Sequence, residues 1–282
     1  MVDQKEFNKT ITEYEKIYGL NHYEVLQRFM FESFLKRLSE SQYKDNFILK
    51  GGLLLSSIFG IDNRTTRDID ASISGISISE DKMISILKII FNINLKDGVT
   101  FEINSTTSIR EEDCYGGIRF YITGKIFHLK VNFEIDISTG DVVTYGQLNY
   151  EYKLLFEDKT TKLRTYNIET ILAEKIETIL RRGKFNSRMK DFYDVYMILT
   201  KYKYDINKNI LRKAFLNTFN KRNSLKYLED YDEILRMILL GDQINYLWKR
   251  YSIKYYYANG ITMDEIINLI KQMMQLVVAK IN

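Results

Sequence analysis

The 282-residue sequence contains no proline. Average usage would place about 14 in a chain of this length. Their absence excludes a PxxP ligand, a polyproline spacer between domains and a cis-proline turn. Cysteine occurs once, as Cys114, which excludes an internal disulfide framework and fits a reducing compartment. That cysteine lies in Glu111-Glu112-Asp113-Cys114, an acidic setting that disfavours a thiolate nucleophile. The two histidines, His22 and His128, are isolated and have no metal-ligand partners at useful spacing. Long apolar runs are missing as well. The longest, Gly51 to Ile61, is broken by glycine and serine and falls well short of the roughly 20 residues of a membrane helix. The opening MVDQKEFNKT is charged and polar, unlike a secretory signal. The expectation is a soluble, cytoplasmic protein with no membrane contact. Neither a Walker G-x-x-x-x-G-K-[ST] nor a kinase H-R-D or D-F-G motif occurs.

What is present is ample core material. Hydrophobic residues make up 45% of the chain, aromatics 13% and charged residues only 28%, a composition that buries surface rather than staying disordered. The length suits one large or two ordinary domains. The net charge of +4 divides unevenly: residues 1–150 sum to −4 and residues 151–282 to +8. An uneven surface is the bland reading of that split. The sharper one is a catalytic or metal centre beside a polyanion-binding surface.

The first forty residues read as helix, with Leu26, Phe29, Met30, Phe34 and Leu38 spaced three and four apart. Short β-rich segments follow at 47–49, 69–73 and 131–137, with a helical stretch from Met83 to Phe91. From Ile168 onward the pattern is helical, with candidates near 168–182, 188–202, 206–220, 224–239, 240–253 and 262–280. The expected architecture is therefore α+β followed by an all-helical domain. We place N-terminal helices and the α/β domain in 1–158 and the helical domain in 159–282, the junction falling somewhere in 150–167. No Gly/Ser-rich linker marks it, so the two parts are expected to pack together around a cleft.

The chemistry-bearing segment is residues 47–73, FILKGGLLLSSIFGIDNRTTRDIDASI. A buried strand runs into Gly51-Gly52, and Leu53 to Phe59 can form a helix. Glycines at such a turn let backbone N–H groups approach phosphate oxygens at a positive helix terminus. A tight turn that merely needs positive φ gives the same pattern. Sixteen residues after Gly52 comes Asp68-Ile69-Asp70. In a strand both carboxylates share one face, with Thr66 beside them, while Ile69 and Ile73 enter the core. Asp is disfavoured inside strands, and two on one face repel unless a cation sits between them. A divalent metal with bound triphosphate answers that requirement. A later strand, Val131 to Ile137, alternates strictly and projects Glu134 and Asp136 away from the core. One of them can complete the acid set as a base for an attacking hydroxyl. Asp136, at the strand's end before a turn, is the better placed.

Gly-Gly, a helix, Asp-x-Asp and a later strand Asp resemble the polymerase-β-like nucleotidyltransferase fold. More narrowly, KGG with RTTRDID, then IDISTGD, ILAEKIETILRR and SRMKDFYD is similar to the AbiEii/AbiGii family of nucleotidyltransferase toxins from type IV toxin–antitoxin and abortive-infection systems. The resemblance covers roughly residues 45–200. Gly-Gly stands where many nucleotidyltransferases have Gly-Ser, so a serine contact to phosphate is missing. The resemblance implies Asp68, Asp70 and Asp136 as Mg²⁺ (or Mn²⁺) ligands and catalytic acids. It also implies Lys50, Gly51, Gly52 and Thr66 around the nucleotide, with Lys175 neutralising phosphate charge. Arg188, Lys190 and Asp191 match an R-x-K-D element of the same site. The substrates it implies are an NTP and an RNA acceptor, most readily the tRNA 3′ end, with growth arrest as the effect. Its implied partner is an AbiEi-like winged-helix antitoxin encoded upstream, with no direct binding expected; the chain itself would be a monomer.

The helical half points the same way. At 100° per residue from Ile168, Leu172, Ile176 and Ile179 define an apolar arc, and Lys175 falls inside it. A lysine there must snorkel out or meet an anion, either nucleotide phosphate or Asp191 and Asp194 on the next helix. Phosphate is the reading we favour. Residues 181–190 hold five basic side chains and no acid, which suits triphosphate or RNA backbone as well as a solvated loop. Two alternatives stand beside the RNA-modifying toxin. One is a small-molecule nucleotidyltransferase of the antibiotic-modifying kind, and the other a catalytically idle nucleotide- or RNA-binding module.

Overall fold

The computed structural model describes residues 3–109, 116–140, 142–144 and 146–278. Cys114 and its acidic neighbours lie outside the described residues. The chain divides into two compact units, Met1–Asp141 with Gln147–Thr165, and Val142–Gly146 with Tyr166–Asn282.

The first unit begins with two helices, α1 (Gln4–Tyr18) and α2 (His22–Glu40). Asn21 caps α2 by accepting from the Glu24 N–H, and the Glu24 carboxylate in turn accepts from the Asn21 N–H, so two orphan donors of the first turn are satisfied. The rest of the unit runs β1 (Phe47–Lys50), α3 (Gly51–Phe59), β2 (Asp68–Ile73), α4 (Glu80–Phe91), β3 (Thr100–Ile109), β4 (Gly117–Ile126), β5 (Leu129–Ser138), β6 (Leu148–Lys153) and β7 (Thr160–Thr165). The strands form one seven-stranded sheet in the order β3-β4-β5-β2-β1-β7-β6. β2 runs parallel to β5 and β1 parallel to β7, while the other neighbours are antiparallel.

The alternation of β5 is realised as expected: Val131, Phe133, Ile135 and Ile137 are buried, and Glu134 and Asp136 project from the other face. Phe133 meets Phe31 edge-on, with ring centroids 5.4 Å apart, which docks α2 onto the sheet. Each such buried ring contributes roughly 1.5–3 kcal/mol. Beyond its apolar stripe α2 buries Arg28, Glu32 and Arg37. The Glu32 carboxylate takes the Arg28 Nε at 3.3 Å and the Leu155 N–H at 2.8 Å. Arg37 forks onto Asp97 with two 2.8 Å bonds. Burial on nearly every side is tolerable because each charge meets a partner.

The second unit contains α5 (Ile168–Arg182), α6 (Met189–Lys201), α7 (Lys208–Lys221), α8 (Lys226–Glu229), α9 (Tyr231–Leu239), α10 (Asp242–Lys254) and α11 (Met263–Val278). The helix expected over 224–239 is two, α8 and α9, separated at Asp230. α5 is the centre of this unit and packs on α6, α7 and α9. Asn167 caps it by accepting from the Thr170 N–H, and its amide donates to the Thr144 carbonyl. That bond, with Asn217 to the Thr144 hydroxyl, holds the short segment Val142–Gly146 in the helical unit. The expected division at 158/159 falls in the turn between β6 and β7. The two compact units part between Thr165 and Tyr166, and β7 lies in the first unit's sheet between β1 and β6. Among the described residues no helix is long and apolar enough to cross a membrane.

Candidate active site

β1 ends at Lys50, and α3 starts at once with Gly51 in the left-handed region at φ +60°. The side chain of the N-cap residue, Lys50, makes no capping bond to α3. Its first turn instead meets Asp70, whose Oδ2 accepts the Gly52 N–H at 3.2 Å. A Cβ at position 51 would sit 2.0 Å from that oxygen, and one at position 52 would sit 2.5 Å from the Thr66 hydroxyl. The double glycine is required here by close approach as well as by backbone angle. A carboxylate lying on the N-terminus of α3 is also favoured by the helix's partial positive charge.

Sheet register assembles the charged groups into a row. Lys50 on β1 pairs with Asp70 on β2, Asp70 with Asp136 on β5, and Asp136 with Arg119 on β4. Two residues back along β2, Asp68 stands opposite Glu134. Two cations thus bracket a pair of acids, with two more acids alongside. Lys50 is buried, and its ammonium donates to the Ser138 hydroxyl at 2.7 Å. Asp68 accepts from the Thr66 hydroxyl. Burial, then the charges of Asp68 and Asp136, push the Asp70 carboxyl up to about 6, against the opposing pull of Lys50 and the Gly52 N–H. A group of acids that suppresses its own ionisation is a place where a cation is favoured.

Asp136 is engaged differently. Arg119 grips it with two parallel 2.8 Å bonds through Nε and Nη2, and its Nη1 reaches Glu134 at 3.0 Å. Among the described residues no group of three or more His, Cys, Asp or Glu side chains is arranged to hold a metal ion. The carboxylates of Asp68, Asp70 and Asp136 hydrogen-bond to Thr66, the Gly52 N–H and Arg119 respectively. The donor chemistry nonetheless suits a hard divalent cation, since three acids meet at neighbouring positions on adjacent parallel strands.

The remaining candidates belong to the helical unit. Lys175 on α5 donates to Asp191 Oδ1 and to Asp194 Oδ2, both at 2.8 Å. Arg188 reaches the other oxygen of Asp191 at 2.9 Å. Of the two kinds of anion weighed for Lys175, the carboxylate pair on α6 is in direct contact with it. Burial opposes ionisation of Asp191, but the Lys175 and Arg188 charges outweigh it and hold its carboxyl below the usual range. Asp194 is fully buried, Arg188 is mostly exposed and Lys190 is half-buried.

Arg119 is a member of this charged row that no sequence motif marks. β4 carries no motif, and only the β4–β5 register brings Arg119 opposite Asp136. Arg64, two residues before Thr66, is buried with its guanidinium 3.2 Å from where a Cβ at Gly52 would lie.

A mixed sheet with a helix-opening double glycine against an Asp-x-Asp strand, and a third acid on the parallel neighbour, defines a polymerase-β-like nucleotidyltransferase fold. The profile of the family described as nucleotidyl transferase AbiEii toxin, type IV toxin–antitoxin system, matches residues 33–263, and the chain belongs to that family. It is thus a nucleotidyltransferase, and a toxin of this system type implies an antitoxin partner and an NTP substrate. Enzymes of this kind generally use a divalent metal. No curated protein matches the chain in sequence. Among solved structures, a Helicobacter pylori protein described as a nucleotidyltransferase aligns with TM-score 0.51 at 15% identity, over 93% of this chain and 97% of its own. MenT4, a nucleotidyltransferase toxin of Mycobacterium tuberculosis, aligns with TM-score 0.52 at 13% identity, over 92% of this chain and 93% of its own. At such identities these likenesses speak for the fold.

Proposed function

We propose that the chain is a cytoplasmic toxin that transfers nucleotides from an NTP to an RNA acceptor, the tRNA 3′ end, in a reaction dependent on Mg²⁺ or Mn²⁺. The observation that carries this reading is the row Lys50, Asp70, Asp136, Arg119 laid across four strands at the N-terminus of α3. Asp68 and Asp70 are the primary metal ligands and Asp136 the third acid. The metal, when bound, supplies charge neutralisation at the triphosphate and a lowered pKa for the attacking hydroxyl. Gly51, Gly52 and Thr66 form the floor on which phosphate oxygens rest, next to the positive end of α3, and Lys50 keeps the acid pair partly neutralised from beneath. Asp136 accepts the hydroxyl proton as the acceptor oxygen bonds to the α-phosphorus of the NTP and pyrophosphate leaves. In the helical unit Lys175 and Lys190 supply positive charge for nucleotide phosphate. Asp191 and Asp194 hold the Lys175 ammonium in place, and Arg188 steadies Asp191. The basic character of residues 151–282 supports a polyanionic acceptor over a small neutral one. Its antitoxin is an AbiEi-like winged-helix protein that neutralises the toxin without binding it, and the chain acts as a monomer.

The test is incubation of purified protein with labelled NTPs, Mg²⁺ and total tRNA. We expect label in RNA, lost with EDTA and in Asp70→Ala. No transfer with any NTP, or transfer undiminished in Asp70→Ala, overturns the reading.

A further inference from the structure

The helical unit carries a basic and aromatic surface that the acid site does not account for. From Gln243 to Met263 the chain has no acidic residue, but it has Lys249, Arg250 and Lys254, five tyrosines and a tryptophan. α10 spans most of this stretch. It buries Ile244, Trp248 and Tyr251 on one side. At 100° per residue, Tyr246, Lys249, Arg250 and Ile253 fall on the opposite side, and all four are exposed. Tyr246 is 60% exposed, an unusual position for a large ring. The Arg250 guanidinium lies 5.7 Å from the centre of that ring. The sole acid on α10, Asp242, stands in its first turn, where it favours the helix.

A second cation–ring pair lies beside it. The 3-10 turn Gly183–Phe185 packs against both α9 and α10. Within it Phe185 is 75% exposed, with the Lys184 ammonium 5.3 Å from its ring centre. This turn lies inside the acid-free basic segment 181–190, which runs on to Arg188 at the Lys175–Asp191 cluster. α6, which carries Asp191 and Asp194, is fastened to the same region through Tyr193, 6.3 Å from Tyr251 and 4.8 Å from Tyr257.

We infer that the outward face of α10 and the adjoining Lys184–Phe185 turn form the docking surface for the RNA acceptor. Phosphates pair with Lys184, Lys249 and Arg250, and unpaired bases stack on Tyr246 and Phe185. Charge complementarity selects the occupant: cations without interspersed acids attract a polyanion, and exposed rings beside them offer the stacking platforms that single-stranded segments use. A protein partner would call for a larger apolar patch, and the exposed apolar side chains on the α10 face and the turn are Ile253 and Phe185, with Leu240 before the helix. The inference rests on the RNA acceptor proposed above and names where that acceptor lies on the helical unit.

The experiment measures RNA binding without NTP, so that it is independent of transfer. Fluorescein-labelled total tRNA and a mixed-sequence single-stranded RNA 12-mer are titrated with the full chain over a KCl series, by anisotropy. The variants are Lys249→Gln/Arg250→Gln, Tyr246→Ala and Phe185→Ala, all at exposed positions. We expect the double variant to lower the log–log salt slope for the 12-mer by about 1.4, at about 0.7 for each phosphate no longer neutralised. Tyr246→Ala should weaken binding by about fivefold or more with little change in slope, as the removal of a stacking ring requires. Thermal melting should be unchanged. If the wild-type chain binds RNA and the variants bind it equally well, this inference fails while the RNA acceptor stands, even should the face prove to hold a protein. If the wild-type chain binds neither RNA, both fail.

Discussion

Gly51 and Asp70 are matched to each other: the backbone at Gly51 takes φ +60°, and a Cβ there would stand 2.0 Å from Asp70 Oδ2. The carboxylate therefore occupies the space a side chain would need, against the first turn of α3. Gly51→Ala has to move Asp70 or the turn. A displacement near 1 Å at such a site costs on the order of 100-fold in rate, and left-handed backbone costs an alanine roughly 1–2 kcal/mol. We expect transfer to fall by about that factor with a modest loss of thermal stability. Activity within roughly threefold of wild type would show that the close approach does not matter.

Asp70 also links activity to stability in opposite senses. Its folded carboxyl titrates at about 6, above the roughly 3.9 of an unfolded aspartate. Stability from this group is therefore fully present below about pH 3.9 and lost as pH rises through about 6. At pH 7 the metal-free chain carries the penalty. Asp70→Asn should remove it, raising stability at pH 7 by on the order of 1–3 kcal/mol while abolishing transfer. Chemical denaturation at pH 5 and pH 7 in EDTA tests this: the variant's advantage must be larger at pH 7.

Arg119 holds Asp136 and Glu134 together. In Arg119→Gln those carboxylates repel each other and the Asp68–Asp70 pair. For a partly exposed pair we expect a loss of roughly 1–2 kcal/mol without metal, narrowing when millimolar Mg²⁺ or Mn²⁺ is added. Equal melting temperatures for variant and wild type in EDTA would remove the clamp from the account.

Lys175 is partly buried and pairs with the buried Asp191 and Asp194, so removing the lysine strands two acids. Lys175→Met should cost about 3–5 kcal/mol at pH 7. The Asp191 carboxyl is held low when folded, so its stabilisation is present above the unfolded value near 3.9 and falls away as pH drops through the folded value. Without Lys175 that depression weakens, and the melting temperature should fall less steeply below about pH 4. An unchanged acid limb of the melting curve would assign the depression to Arg188 instead.

Much of this fold is legible in the sequence where the signal is local. The span of α5 from Ile168 to Arg182, the strict alternation of β5 and the Gly-Gly to Asp-x-Asp spacing follow from periodicity and turn chemistry within a few residues. β3, β4, β6 and β7 carry no comparable local signal. β3 is largely exposed along its length, and β4 and β6 mix polar and apolar residues without a clean period. β7 alternates over only six residues, which is little to distinguish it from a loop.

Local pattern alone establishes which side chains carry charge and which face of each element they take: Asp68 with Asp70, Asp136 with Glu134, Lys175 in an apolar arc. It could not say what each would meet. That Asp136 is gripped by Arg119, that Asp70 lies on the turn of α3 and that Lys175 sits between two carboxylates were decided by strand register and helix packing. Register depends on pairings between residues as far apart in the chain as Asp70 and Asp136. No local pattern encodes those pairings, because their free energy comes from burying whole faces together.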